Sequence, residues 1–482
     1  MSKTLVRSLF SKSSALGKLR DAIANSEPII EANGLVGSAT SLVVAETFKT
    51  SELPFLIILN DKEEAAYHLN DLENLLGDDT VLFYPGSYRR PYHPDAISGE
   101  DTDNANVLLR SEVLNRINSR RKPALIVTYP EALFEKVVTK KELEKNTLKL
   151  SVNDTVSIEF VNEVLFEYNF KRTDFVTEPG EFSVRGGILD VFSFSNDEPY
   201  RIEFFGDEVD SIRTFDVETQ LSLEQLKKIS IIPNIENKRL TGTSTALSET
   251  RESFLSYISS KTVVCLKNKE LLGSAIDKLF SKATEAYNKQ QGEVKMSTPS
   301  ELFCTSNLLQ EQLDKFTTVT FKGVSNTNSQ TISFSTVPQP SFNKQFNLLI
   351  ENLNRNTADG YTNYIFCSSE SQAKRFHDIF EDAQQHVDQF ETIVFPLYQG
   401  FIDHENRNVC YTDHQIFERY HKFSLKNGYA KKQAITLKEL TNLEVGDYVT
   451  HIDHGIGRFG GLQKIDVEGK QQEAIKLIYG EN

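Results

Sequence analysis

Short apolar runs alternate with amphipathic stretches along the first part of the chain. The apolar runs have no polar face, which is typical of strands buried in a parallel sheet; they are Phe55–Leu59, Val81–Tyr84 and Leu125–Thr128. The stretches around them have helical spacing, at Ser38–Phe48, Lys62–Leu76 and Ala105–Ser119. This alternation predicts an α/β domain.

The pattern changes to strands and tight turns between about residues 130 and 205. The turn pairs Pro179-Gly180 and Gly186-Gly187 interrupt runs of β-type residues, and the predicted strands are Val156–Phe160, Phe182–Val184, Ile188–Val191 and Arg201–Phe205. The α/β pattern then resumes, with strands at Val263–Leu266 and Thr317–Phe321. We therefore expect an α+β domain inserted into a single α/β sheet.

A second, smaller α/β unit follows, and the chain ends in β structure. The smaller unit has a predicted helix at Ser371–Ala383 and strands at Tyr364–Cys367, Thr392–Phe395 and Asn408–Tyr411. A basic linker comes next, and the last strands are Asp447–His451, Gly457–Ile465 and Glu473–Tyr479. The predicted domains are 1–128 with 208–325, the insertion 129–207, the small unit 326–420, the linker 421–439 and the β module 440–482.

Composition narrows the class of partner. The chain has 482 residues and a net charge of −15, whereas tight, sequence-independent binding of nucleic acid needs a surplus of Lys and Arg to neutralise phosphates. Proteins are therefore the expected partners. Four scattered cysteines without a CxxC pair, and the lack of a long apolar run or secretory signal, predict a cytoplasmic protein with reduced thiols and no membrane partner.

One loop has the outline of a nucleotide-binding loop without its key residues. The segment Gly34–Ser41 aligns with the phosphate-loop pattern GxxxxGK[ST] and contains Gly37, but Ala39 stands at the second glycine and Thr40 at the lysine. The lysine reaches the β- and γ-phosphates, and the glycine lets backbone amides wrap around them. With only the helix N-terminus and Ser41 left, the pattern predicts a degenerate, non-functional loop. We expect no cofactor, catalytic residue or metal in this chain.

Arg185 is the most prominent candidate for binding. It directly precedes Gly186-Gly187 at a predicted turn, so few neighbouring side chains shield its guanidinium. An arginine in that position is suited to bidentate contact with a carboxylate. An ordinary surface arginine on a hairpin fits the same residues, and the sequence leaves both interpretations open.

Two blocks of sequence resemble one known family. Residues 182–192, FSVRGGILDVF, together with 201–216, RIEFFGDEVDSIRTFD, resemble the UvrB-like region of bacterial transcription-repair coupling factors. The excinuclease component UvrB itself has a similar block. Residues 445–460, VGDYVTHIDHGIGRFG, resemble the RNA polymerase-interacting module of the coupling factors, which UvrB lacks. The combination favours the coupling factors.

The resemblance implies an architecture and a set of contacts. The architecture would be a degenerate helicase-like α/β domain with an inserted α+β domain, a small α/β domain and a partial Tudor/SH3-like β-barrel. The insertion would bind UvrA, another component of the excinuclease, through Arg172, Arg185 and an exposed Phe192. The strand containing Ile475 and Leu477 would pair with the edge of the RNA polymerase β subunit.

The resemblance also implies an activity for the longer protein. Beyond Asn482 we expect a motor that uses ATP and Mg²⁺ to move on double-stranded DNA and displace stalled polymerase, while the present chain acts as an adaptor. Two other functions stay open: a DNA-dependent ATPase of the UvrB type with an unusual loop, and a scaffold that binds neither partner.

Overall fold

The structure is a computed structural model. It describes residues 2–77, 80–87, 104–118, 122–168, 170–194, 196, 198–232, 250–289, 297–321, 329–382 and 390–419, followed by 446, 448–451, 455–467 and 470–479. Residues 1–426 form one compact unit and residues 427–482 a second one.

A seven-stranded, all-parallel sheet organises the first unit. Its order is β17-β1-β16-β15-β2-β4-β3. The strands are β1 (Ile29–Asn33), β2 (Phe55–Ile58), β3 (Val81–Tyr84), β4 (Leu125–Thr128), β15 (Val263–Leu266), β16 (Thr318–Thr320) and β17 (Gln330–Ser333). Strands from before the insertion (β1–β4) and after it (β15–β17) pair within this one sheet, so the insertion interrupts a single sheet.

Helices cover both faces of this sheet. Successive strand residues point to opposite faces, so Leu56 packs into one core with Val113 and Leu272, while Ile57 packs into the other with Leu16 and Leu42. The three predicted helices are present as Ala39–Ser51, Lys62–Leu76 and Asn104–Asn118. Apart from Ile158–Glu167, the others described before residue 320 are Ser2–Ser8, Ser14–Ala24, Pro130–Phe134, Lys140–Lys145, Phe254–Tyr257, Lys269–Asn288, Pro299–Leu302 and Ser306–Leu313. Two of these, Pro130–Phe134 and Lys140–Lys145, fall within the predicted insertion 129–207 but pack into the core that contains Leu56.

The insertion is built on a six-stranded sheet with the order β12-β11-β10-β9-β8-β7. Within this sheet β7 and β8 are parallel, and the other pairs are antiparallel. The strands are β7 (Lys171–Arg172), β8 (Glu181–Arg185), β9 (Ile188–Val191), β10 (Tyr200–Phe205), β11 (Glu208–Phe215) and β12 (Ser222–Leu226). Beside it, β6 (Leu148–Ser151) pairs with β13 (Lys228–Ile231), and β5 (Val137–Val138) pairs with β14 (Arg251–Glu252).

Two details of the insertion differ from the expectation. The β10–β11 hairpin crosses the boundary predicted at residue 207, and the hydrophobic core of the insertion extends to Ile231. In addition, the segment predicted as the strand Val156–Phe160 enters the helix Ile158–Glu167 instead. Ser157 caps this helix by accepting a hydrogen bond from Phe160 N, and Val161 and Leu165, spaced four residues apart, face the core.

Residues 1–426 contain a second α/β unit, which starts at β18 (Thr336–Pro338) and shares a core with the seven-stranded sheet. Its mixed sheet has the order β18-β21-β22-β19-β20. Phe366 and Cys410 on one face of this sheet join the core that contains Ile57, and Phe401 stacks on Phe10 with ring centroids 5.8 Å apart. The elements are β18 (Thr336–Pro338), β19 (Thr362–Cys367), β20 (Phe390–Val394), β21 (Phe401–Asp403), β22 (Asn408–Thr412) and the helices Phe346–Ala358, Glu370–Asp382 and Asp413–Ile416.

The second compact unit contains a three-stranded antiparallel sheet in its described residues. Its strands are β23 (Tyr448–His451), β24 (Gly455–Val467) and β25 (Lys470–Ile478), in that order. No closed barrel is present among the described residues, so the structure confirms β strands here and leaves the barrel unconfirmed. The basic linker predicted at 421–439 lies outside the described residues.

Candidate functional site

Arg185 lies at the end of β8 and is held by a buried carboxylate. Its Nη2 donates a hydrogen bond to Asp190 Oδ2 across the β8–β9 hairpin. Asp190 also accepts from Arg201 Nε at 2.7 Å and from Arg201 Nη2 at 2.9 Å. The Asp190 side chain is 1% exposed and that of Arg185 is 42% exposed. Two arginines thus share one buried carboxylate, and the bond to Asp190 raises the pKa of Arg201 above its ordinary value.

The two arginines predicted to bind together lie on different faces of the sheet. Arg172 is exposed on the edge strand β7 and stands directly opposite Phe182 on β8. Phe182 is fully buried and faces the core of the insertion. Arg185 is three residues further along β8, and because side chains alternate along a strand, it faces the other way. A partner with a flat surface would therefore contact Arg185 on the face of the sheet and Arg172 only at its edge.

Phe192 is not the exposed aromatic that was predicted. Its side chain is 0% exposed. Its backbone extends the β8–β9 pairing, because Phe192 N donates to Glu181 O at 2.9 Å and Phe192 O accepts from Gly180 N at 2.8 Å. The strand pairing thus continues past Val191 and keeps Phe192 inside the domain. The expectation of direct contact between Phe192 and a partner is wrong for this conformation.

The exposed aromatic residues of the insertion lie elsewhere. Phe175 is 59% exposed, and its ring centroid lies 5.2 Å from the Arg185 guanidinium carbon. Phe205, at the β10–β11 turn, is 84% exposed, while Phe160 and Phe166 on the helix Ile158–Glu167 are 51% and 49% exposed. Sequence reasoning missed Phe175, since nothing in its spacing sets it apart. The sequence could have predicted the pairing of Arg185 with Asp190, because the two residues flank a predicted hairpin turn that brings their side chains together.

The degenerate loop has the strand–loop–helix arrangement of a phosphate loop. It connects β1 to the helix Ala39–Ser51, and Gly34 and Gly37 adopt positive φ angles of 81° and 52°. A Cβ on Gly34 would lie 2.0 Å from Phe334 O, which explains why glycine is required there. Thr40 and Ser41 are 2% and 1% exposed.

The space in front of this helix is filled by the chain itself. Ser38 N, an amide at the helix start, donates to Gln399 O at 3.1 Å, and Gln399 N donates to Ser38 Oγ at 2.9 Å. Tyr398 N donates to Asp71 Oδ1 at 2.8 Å, and Ser38 Oγ donates to Asp71 Oδ2 at 2.6 Å. The Tyr398 ring stacks on Tyr67 with centroids 3.9 Å apart. Residues 396–400 of the second α/β unit therefore stand where the pattern would place phosphates.

Burial changes the protonation of two groups beneath this segment. Desolvation raises the pKa of Asp71 to about 7, against opposing hydrogen bonds from Ser38 and Tyr398. Desolvation also lowers the pKa of His68 to about 3, and Lys267 adds to that shift. His68 Nδ1 is 2.8 Å from Ser41 Oγ. Near neutral pH the neutral imidazole occupies the position beside Ser41, and Asp71 titrates.

β25 is an edge strand in the described sheet. One side pairs with β24, where Leu477 stands opposite Phe459 and Ile475 opposite Leu462. Leu477 is half-buried and Phe459 is 4% exposed. The other side of β25 has no strand partner among the described residues. This is the geometry that β-augmentation requires.

The described part of the chain has neither a metal-binding cluster nor a membrane-spanning helix. No three His, Cys, Asp or Glu side chains converge there in a way that would hold a metal ion. The helices described are each too short or too polar to cross a membrane. All four cysteines, Cys265, Cys304, Cys367 and Cys410, are buried free thiols.

Comparison with known proteins identifies two regions of the chain. Residues 148–236 match the UvrB interaction domain, and residues 443–482 match the CarD-like/TRCF RID domain. The first region contains Arg172, Arg185 and Asp190, and the second contains β23, β24 and β25.

The curated relatives extend this similarity to nearly the whole chain. The chain is 25% identical to the transcription-repair-coupling factor of Bacillus subtilis, over 92% of its own length and 43% of the relative's. It is 23% identical to that of Staphylococcus epidermidis, over 99% and 45%, and 25% identical to that of Staphylococcus aureus, over 92% and 43%. The chain resembles the first part of transcription-repair-coupling factors. It spans less than half the length of the relatives it matches.

The burial of Phe192 predicts a structural role. We expect Phe192→Ala to lower the free energy of unfolding by about 3–5 kcal/mol, because truncating a fully buried phenylalanine leaves a cavity. Urea unfolding followed by circular dichroism measures this. The matched control is Phe205→Ala at an 84% exposed position, which should change stability by less than about 0.5 kcal/mol. Equal stability of Phe192→Ala and wild type would contradict the burial.

The raised pKa of Asp71 predicts a pH-dependent effect on stability. The folded chain retains the Asp71 proton more strongly than the unfolded chain, so the stability that this group contributes is complete below about pH 4 and is lost as pH rises to about 7. Asp71→Asn removes this titration. We expect its unfolding temperature, relative to wild type, to increase between about pH 4 and pH 7 and to level off above that. A difference that stays constant with pH would contradict the assignment.

Proposed function

We propose that this chain is an adaptor that connects the excinuclease component UvrA to RNA polymerase stalled at DNA lesions. The observation that carries the proposal is the presence, in one chain, of a region matching the UvrB interaction domain and another matching the CarD-like/TRCF RID domain. The partners would be UvrA for the first region and the polymerase β subunit for the second. The chain would meet both partners in the cytoplasm.

The exposed cation of the insertion supports the first contact. Arg185 is fixed in position by Asp190, so less conformational entropy is lost when it binds than for an unrestrained arginine. Because Asp190 carries one charge and is shared with Arg201, the three side chains keep a net positive charge. Such a cluster favours a partner surface that presents carboxylates. Arg172, at the edge strand, would extend the contact around the side of the sheet.

The open edge of β25 supports the second contact. Backbone groups on that edge would pair with a strand of the polymerase β subunit, as in other cases of β-augmentation. Ile475 and Leu477 belong to this strand, and their partners on β24, Leu462 and Phe459, lie on either side of a β-bulge. We infer that the three described strands are part of a Tudor/SH3-like barrel whose remaining strands lie elsewhere in the longer protein.

The longer protein would supply the motor. The relatives are more than twice as long as the matched region, and in the proposed function their remaining part uses ATP and Mg²⁺ to move on double-stranded DNA. In the present chain, the carbonyl oxygen of Gln399 accepts the hydrogen bond from Ser38 N, an amide that a bound phosphate would need. This supports the absence of ATP hydrolysis. The alternative, a DNA-dependent ATPase of the UvrB type, would require residues 396–400 to leave. Saturable binding of ATP to this chain would support that alternative.

The proposal predicts that Arg185→Ala weakens binding to UvrA by about 2 kcal/mol or more, the size of effect expected when a central charged contact is removed. Isothermal titration calorimetry on the full chain measures it. The control is Arg375→Ala, because Arg375 also stacks on an aromatic ring, 4.5 Å from the Phe417 centroid, but lies outside the insertion. A wild-type chain that does not bind UvrA would refute the first half of the proposal.

Deletion of residues 427–482 tests the second half. The hydrophobic cores of the described α/β units and of the insertion consist of residues that precede this segment, so the remaining chain should fold. We expect the deletion to abolish binding to RNA polymerase and to change the affinity for UvrA by less than about twofold, since independent sites contribute additively. Pull-down on immobilised polymerase and calorimetry give the two readouts. Retained polymerase binding would place that contact elsewhere.

A further inference from the structure

The insertion presents a second binding residue beside Arg185. Phe175 is 59% exposed in the loop between β7 and β8, yet its ring lies against the Arg185 guanidinium at 5.2 Å. Aromatic residues, phenylalanine among them, are enriched in the cores of protein interfaces. Phe175 thus has the residue type, exposure and charged neighbour of an interface anchor.

The loop that carries Phe175 is held on both sides by side chains of β8. Ser183 Oγ donates to Asp174 O at 3.0 Å. Further along the loop, Glu181 Oε2 accepts from Thr177 N at 2.9 Å and from Glu178 N at 3.0 Å. Glu181 and Ser183 alternate with Phe182 along the strand and so share the face of Arg185. The loop is therefore fixed to the face on which Arg185 is exposed.

The residues next to Phe175 show that its exposure is not the result of a loose loop. Val176 is 0% exposed, and its carbonyl accepts a hydrogen bond from Gln220 Nε2 at 3.3 Å. The carbonyl of Phe175 accepts from Thr173 Oγ1 at 3.0 Å. The backbone thus directs Val176 into the domain and leaves the Phe175 ring outside. An aromatic ring fixed in this way loses little entropy on binding.

The geometry of the pair defines the ligand that it fits. A guanidinium has five N–H donors, and Arg185 uses one of them on Asp190. The Phe175 ring lies beside the guanidinium, and its exposed surface provides an apolar area next to the donors. A carboxylate side chain flanked by an apolar side chain satisfies both parts at once.

We propose that Phe175 and Arg185 form one aromatic–cation clamp, in which Phe175 is the apolar anchor that sequence reasoning assigned to Phe192. The clamp binds a carboxylate and an adjacent apolar side chain on the surface of UvrA, and Asp190 is the positioning residue that sets the Arg185 guanidinium. This inference rests on the proposed function and specifies the residues of its first contact.

A double-mutant cycle on the full chain tests the clamp. The variants are Phe175→Ala, Arg185→Ala and the double variant, each titrated with UvrA by calorimetry. Phe175→Ala should weaken binding by about tenfold or more, as for an interface anchor. The double variant should lose less than the product of the two single losses, because the two side chains act on the same contact. Phe175→Leu keeps apolar bulk without the ring and should give an intermediate loss.

Phe205→Ala is the matched control, since Phe205 is the more exposed phenylalanine of the same domain and lies at the β10–β11 turn rather than in the β7–β8 loop. It should bind within about twofold of wild type, as expected of a residue outside the contact. Thermal unfolding of each variant confirms that the fold is intact, which the exposure of Phe175 makes the expected result.

The results of these titrations distinguish the clamp from the adaptor function. Weakened binding by Arg185→Ala together with unchanged binding by Phe175→Ala overturns the clamp and leaves the adaptor function standing. Equal losses from Phe175→Ala and Phe205→Ala also overturn it, because the effect would then come from apolar surface in general. No binding of UvrA by the wild-type chain overturns the adaptor function and the clamp together.

Discussion

The buried carboxylate of Asp71 joins the two α/β units of the chain. One oxygen accepts from Ser38 at the start of a helix of the first unit, and the other accepts from Tyr398 in the second unit. An ionised carboxylate at a fully buried position would be costly without such donors. The stacking of Tyr67 on Tyr398 and the shared core around Phe366 and Cys410 complete the junction. These contacts connect the two α/β units within the compact unit of residues 1–426.

The same junction gives the loop that resembles a phosphate loop an acceptor from within the chain. A phosphate loop needs an anion to satisfy the amides at its helix start. Here the carbonyl of Gln399 accepts from Ser38 N, so the protein provides the acceptor internally. A lysine at position 40 would bury a charge at a site that is 2% exposed. The neutral side chain of Thr40 therefore fits this buried position.

Local patterns predicted the elements of the fold, and contacts between distant residues limited the prediction of the site. The helix Lys62–Leu76 and the strand Val81–Tyr84 were predicted at their observed bounds, because helical spacing and short apolar runs are local signals. The segment Val156–Phe160 was misread, since the cap at Ser157 competes with a β-like composition. Arg185 was selected from its position before a turn, and its role in binding stays a prediction. The burial of Phe192 and the exposure of Phe175 depend on strand pairing and on a loop held from β8, which no local pattern encodes.

The strand order has a consequence for how the chain is made. β1 pairs only with β16 and β17 among the described strands, and its partner at Thr318 follows Ile29 by about 290 residues. At about 5–20 residues per second, a ribosome takes roughly 15–60 s to synthesise that interval. During this time the hydrogen-bonding edges of β1 have no partner strand, while the insertion, whose sheet pairs within residues 171–226, can already fold. The nascent chain would thus present a folded insertion attached to an unfinished sheet, and factors that shield exposed strands would act on its N-terminal region.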